Sequence, residues 1–180
     1  MDMTTVRVWD VFVRVFHWCL VLCISVAWLS SNNAGTLHTA AGYFAGGLVI
    51  FRLIWGIVGS KYARFSQFVG SPRIVIGYLK DVLARRAARY LGHNPAGGAM
   101  IVALIVSVAA TSISGWMLTT DAFWGVLWVQ KVHGFLADSL LVLAAFHVAG
   151  VVAASLHHRE NLVRAMLSGR KRRPAPRDVV

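Results

Sequence analysis

The stretch from Trp128 to His158, WVQKVHGFLADSLLVLAAFHVAGVVAASLHH, decides how the rest of the chain is read. It is apolar over a length that suits a membrane-crossing helix, and it carries His133 and His147 fourteen residues apart. At about 100° per residue, fourteen steps return to within roughly 40° of the starting direction, so both rings leave one face. At about 1.5 Å per residue they lie about 21 Å apart along the axis, one near each edge of a hydrocarbon core about 30 Å thick. Imidazole is costly inside a bilayer unless something engages it, so this spacing suggests two ligand sites stacked across the membrane.

Working outward, three more runs have spanning length. The expected spans are 11–29, 37–59, 97–118 and 132–156, which makes an all-α, integral membrane four-helix bundle. Of the 180 residues 57% are hydrophobic and 14% charged, and the mean hydropathy is +0.63. A soluble domain has about a quarter of its residues charged, so that class is excluded. A segment from Ser71-Pro72 to Leu91 carries too many charges to span. Its apolar stripe of Ile76, Leu79, Leu83, Ala87 and Tyr90 predicts an additional helix lying on the inner surface. Residues 1–168 form one domain, and the basic tail 169–180 is expected to be disordered.

The net charge of +11 points to the lipid bilayer and not to nucleic acid, because of where the charge lies. Of 18 Lys and Arg, all but Lys131 fall in the first 14 residues, in the stretch from Arg52 to Arg89, or after residue 158. That is the positive-inside pattern, with both termini cytoplasmic and an even number of spans. Cys19 and Cys23, one turn apart in the first span, read as packing residues, and no C-x-x-C-H haem attachment motif occurs.

Depth pairs the histidines. His17 starts an outgoing helix and His147 ends a returning one, so both are inner. His38 and His133 each start a returning helix, so both are outer. Two opposed imidazoles per layer suit the axial positions of a six-coordinate haem, whereas zinc wants four tetrahedral ligands. Gly42 and Gly46, on the face of His38, would let a flat macrocycle approach the backbone, although Gly-x-x-x-Gly also serves helix packing. Arg14 shares a face with His17. Arg52 follows His38 by the same fourteen residues, so both arginines are candidates for the inner propionates, with snorkelling as the plainer reading of Arg52. Lys131 is the outer basic candidate. His93 reads as a local structural residue in a turn, and His157 and His158 as interfacial residues.

Several motifs together resemble the bacterial cytochrome b561 family, akin to the membrane cytochrome b subunit of nickel-iron hydrogenases. They are R-V-W-D-x-x-V-R-x-F-H-W from Arg7 to Trp18, F-R-L-I-W-G from Phe51 to Gly56, Y-L-G-H-N-P-A-G-G from Tyr90 to Gly98, V-H-G-F-L-A from Val132 to Ala137, and F-H-V-A-G from Phe146 to Gly150. The resemblance covers residues 6–173. It implies a di-haem inner-membrane cytochrome with two haem b groups, one held by His17 and His147 and the other by His38 and His133. The expected function is electron transfer between a quinone and a periplasmic cytochrome or other redox protein. Two alternatives stay open: a superoxide oxidase that reduces ubiquinone, which some similar proteins are, and a haem-free, histidine-lined metal carrier. Whether the chain is itself a quinone-linked oxidoreductase is left open with them.

Overall fold

The computed structural model describes residues 4–33 and 35–180. Residues 1–3, and Ala34 within the expected Ser30–Gly35 turn, lie outside the described residues. The architecture is all-α. Its helices are α1 (Val11–Leu29), α2 (Thr36–Val58), α3 (Pro72–Leu83), α4 (Pro95–Met117), α5 (Leu127–His158) and α6 (Leu162–Ser168). Among the described residues α1, α2, α4 and α5 are long and apolar enough to cross a membrane, at 19, 23, 23 and 32 residues. The last exceeds its expected bounds at both ends. Its extension from Leu127 through Lys131 contains the buried Val129, which an end defined by hydropathy alone does not register.

The chain divides into two compact units, one of residues 1–14, 54–102 and 145–180, the other of 15–53 and 103–144. The second is built from parts of the four long helices. Its contacts join α2 to α1 (His38 to Ala27), α4 to α2 (Ser112 to Gly42), α5 to α4 (His133 to Thr111 and Ser114) and α2 to α5 (His38 to His133). Gly46 faces Ser112 in this packing, where an added Cβ would make ordinary contact at 3.4 Å.

The first unit corrects the expectation of a disordered tail. Strand β1 (Thr5–Arg7) pairs antiparallel with β2 (Arg170–Arg172), in the register Thr5 to Arg172 and Arg7 to Arg170. Tyr90 bridges to Val179. The tail is ordered because its charges are neutralised locally. Arg89, 5% exposed, donates to Glu160 at 2.7 and 3.1 Å and to Asp178, and Lys171 Nζ lies 3.5 Å from Glu160. A basic composition suggests solvation only while its partners, all distant in sequence, are unknown.

Helix α3 ends at Leu83, earlier than its apolar stripe suggested. Arg85 adopts a left-handed φ of 57°, and the segment beyond it runs out to the Tyr90–Val179 bridge. Its residues Ile74, Ile76, Leu79, Val82 and Leu83 are exposed, while Tyr78 is buried. Other helix starts follow side-chain rules. Asp10 accepts from Val13 N at 2.8 Å to cap α1, and Asn94 accepts from Gly97 N at 2.7 Å to cap α4. Asp10 also accepts from Trp55 Nε1 and Ser60 Oγ. Burial opposes ionisation of Asp10, but the hydrogen bonds from Ser60, Val13 and Trp55 outweigh it and hold the carboxyl below 3.8.

Candidate functional site

Two of the four intramembrane histidines come together within the second unit. The rings of His38 on α2 and His133 on α5 have centres 6.1 Å apart and planes inclined at 81°. Each is tied to backbone through the same atom. His38 Nδ1 lies 2.8 Å from the Ala27 carbonyl on α1. His133 Nδ1 lies 3.1 Å from the Thr111 carbonyl and 3.1 Å from Ser114 Oγ, both on α4. A carbonyl oxygen only accepts, so Nδ1 must carry the hydrogen in both rings. Nε2 is then the basic lone-pair nitrogen of each, the tautomer a metal ligand needs.

The spacing tests which group such a pair fits. A metal–imidazole bond of about 2.0 Å, with about 1.1 Å more from nitrogen to ring centre, puts the centres of a trans pair about 6.2 Å apart. The observed 6.1 Å is the same separation, so the distance between the rings suits one group bound by both. Among the described residues no three His, Cys, Asp or Glu side chains gather closely enough to hold a bare ion, so the equatorial positions would have to come from the bound group itself. A macrocycle supplies four. A Cβ at Gly42 would meet nothing within 4 Å, so the backbone beside His38 borders open space. At Gly46 the same construction meets Ser112, so of the two expected clearance glycines one faces space and the other packs.

Sequence reasoning missed the support from α4. Ser114, 5% exposed, donates to the Thr111 carbonyl at 3.0 Å, which leaves its oxygen lone pair to accept from His133 Nδ1. A Cβ at Gly115 would approach His133 Cε1 to 3.0 Å, so the ring packs closely against the backbone of α4 there. The available signal was the run Thr111-Ser112-Ile113-Ser114-Gly115, four small or hydroxyl residues in an otherwise apolar span. Without a histidine or a charge, that span reads as passive.

The remaining expected residues are placed as follows. His17, half-buried, stands edge-on to Trp18 with ring centres 5.0 Å apart. It belongs to the second unit, and the half-buried His147 to the first. Arg52 is buried at 3% exposure, a guanidinium inside a span. Arg14 lies against the turn at Gly169, where a Cβ would come within 3.0 Å of its Nη1. Lys131 is exposed. His93 is sandwiched between Trp9 and Phe68, at 4.5 and 4.7 Å, which accords with a local structural role.

The profile of prokaryotic cytochrome b561 matches residues 8–169. This chain belongs to the prokaryotic cytochrome b561 family. Among curated proteins it is 26% identical to a probable Ni/Fe-hydrogenase B-type cytochrome subunit of Rhodobacter capsulatus, over 93% of this chain and 82% of the relative. A probable subunit of the same description from Bradyrhizobium diazoefficiens is 25% identical, over 93% and 86%. A probable Ni/Fe-hydrogenase 1 B-type cytochrome subunit of Escherichia coli K12 is 24% identical, over 63% and 60%. No solved structure matches the chain. Membership makes this b561-family chain a membrane electron-transfer cytochrome whose prosthetic group is haem b.

Proposed function

We propose that this cytochrome b561-family protein carries electrons across the membrane through two haem b groups, between the quinone pool and a periplasmic redox partner. The observation that supports this best is the His38–His133 pair, 6.1 Å apart, with both Nδ1 atoms committed to backbone carbonyls. Bound haem supplies a reversible one-electron iron couple. The protein supplies position and charge. His38 and His133 would hold the outer haem, with Ala27, Thr111 and Ser114 fixing the orientation and tautomer of the two rings. By depth in the sequence alone, His17 and His147 would hold the inner haem. Arg14 and Arg52 would compensate the inner propionates, whereas Lys131, exposed and about 160° from His133 around α5, leaves the outer propionates without an assigned partner.

With two histidines for each haem, the bound groups would supply outer-sphere electron transfer and not oxygen binding at the metal. The charge bias of the loops supports cytoplasmic termini and an inner-membrane location. The names of the hydrogenase-subunit relatives support a protein partner that exchanges electrons with this chain; we place it at the outer face, with quinone at the other end of the path.

An absorbance spectrum with redox titration of the purified protein tests the reading, and two reducible b-type haems are expected. His38→Ala and His133→Ala should each remove one haem and spare the other. Loss of both haems or of neither would refute the outer pairing, and absence of any b-type haem would refute the reading as a whole.

A further inference from the structure

We propose that the exposed face of α5 around Asp138 seats a transmembrane helix of a different polypeptide, one that places a basic hydrogen-bond donor opposite the Asp138 carboxylate. Helix α5 has 32 residues and so runs about 48 Å. A hydrocarbon slab about 30 Å thick, centred on the helix, leaves Asp138 about 7 Å from its mid-plane. Asp138 is the only Asp or Glu between Leu127 and His158. It is exposed, and no hydrogen bond or ion pair among the described residues engages it. A carboxylate at this depth is costly in lipid and ordinarily turns inward to a partner. Asp138 instead leaves α5 about 140° from His133, away from the buried Val129 and Leu140.

The same face carries a second charge. Lys131 is also exposed and precedes Asp138 by seven residues, which puts it within about 20° of the same direction and about 10 Å nearer the end of the helix. It therefore sits at the membrane boundary while Asp138 sits inside. Between and beyond them, a Cβ at Gly134 would meet nothing within 4 Å, and Phe135 and Val142 are exposed. A glycine flanked by such side chains lets another helix approach closely.

Charge complementarity chooses the occupant. A second copy docked here about a two-fold axis along the membrane normal would set Lys131 against Lys131 and Asp138 against Asp138, like charge on like. A copy docked antiparallel would have to be inverted against the charge bias that orients it. A helix of another polypeptide meets neither objection if it carries an acidic or acceptor side chain at the boundary and a basic donor seven residues deeper. This goes beyond electron transfer, since it names the surface that would hold a partner subunit.

The test uses the purified full-length holoprotein, donor-labelled and reconstituted in vesicles. The probe is an acceptor-labelled synthetic leucine–alanine transmembrane helix with one Lys at the depth of Asp138 and a Glu seven residues toward the Lys131 end. The control helix has Leu at both positions. Energy transfer should report association about tenfold tighter for the charged helix than for the control. Asp138→Leu should bring it to the control level, and Asp138→Asn should be intermediate. Because no hydrogen bond or ion pair among the described residues engages Asp138, both variants should keep the haem content and spectrum of the parent, so a failure here is separable from a failure of the haem reading. Equal association of the two helices, or undiminished association in Asp138→Leu, would overturn the proposal. So would a homodimer that depends on Asp138 in sedimentation equilibrium.

Discussion

At the scale of single residues, Ser114 and Gly115 set how His133 is held. On the proposed ligation, the Ser114 hydroxyl is a second acceptor for His133 Nδ1–H, beside the Thr111 carbonyl. Each acceptor makes the imidazole more electron-rich and favours the oxidised iron. Ser114→Ala removes one of them, so the outer haem potential is expected to rise. If half of the roughly 1 kcal/mol that a hydrogen bond contributes depends on oxidation state, the shift is about 20 mV at about 59 mV per tenfold. A redox titration that resolves the two haems measures it, and a fall in potential would contradict the bond's assigned direction. Gly115 acts through volume. A Cβ would already approach His133 Cε1 to 3.0 Å, so Gly115→Val should displace the ring and roughly halve the haem-to-protein ratio in a pyridine haemochrome assay, whereas Gly115→Ala needs a shift of only tenths of an ångström.

At the scale of elements, the end of α6 shows how a local conformation anchors a distant strand. Gly169 caps α6 with a left-handed φ of 77°. Its carbonyl accepts from Val8 N at 2.9 Å and from Trp9 N at 3.1 Å, which fixes β1 beside β2. A Cβ here would fall 2.6 Å from the Trp9 carbonyl oxygen, and an L-residue in this region costs about 1–2 kcal/mol before any clash. Gly169→Ala is therefore expected to destabilise this unit by at least that amount. Hydrogen exchange of the Val8 and Trp9 amides should report it, and unchanged protection would show that the turn relaxes cheaply. The histidine-bearing helices are not built by the same means. Their order rests on apolar length, with α4 supplying hydroxyls where α2 and α5 supply rings.

At the scale of the whole molecule, the C-terminal tail is secured by one buried arginine serving two carboxylates. Burial opposes ionisation of Glu160, but the hydrogen bond from Arg89, the charge of Lys171 and the amide of Arg172 hold its carboxyl below 4.5. Asp178 is held below 3.8, where slight burial is outweighed by the Ala175 amide and Arg89. Burial pushes the Lys171 ammonium below 10.5, and Glu160 offsets this only in part. Carboxyls with lowered folded values stabilise above their unfolded values, and that stability is lost as pH falls through the folded ones. The tail should therefore stay protected at pH 5 to 7 and loosen progressively below about pH 4.5. Arg89→Leu leaves Glu160 with Lys171 and the Arg172 amide and Asp178 with the Ala175 amide, and is expected to destabilise the tail, by less than the loss of a fully buried ion pair costs. Tryptic cleavage within Arg170–Arg173 and at Arg177 should then accelerate sharply; unaltered cleavage would remove Arg89 from this role.

What the sequence determined by itself is whatever repeats along one helix. Apolar length marked four spans, and the fourteen-residue return of His133 to His147 and of His38 to Arg52 put those side chains on common faces, because 3.6 residues per turn is a local property. Matched depth also paired His38 with His133 before any coordinates. Tertiary structure decided what lies across from each face. It brought the Ala27 and Thr111 carbonyls to the two Nδ1 atoms, put Gly115 behind the His133 ring, turned Asp138 outward, and folded a basic tail onto Glu160 and Arg89. Each of these joins residues from eleven to 89 positions apart, or depends on which side of a helix stays uncovered. Hydrogen-bond acceptors on backbone carry no residue signature, and a buried ion pair is invisible until both partners are placed, so neither could be read from the chain alone.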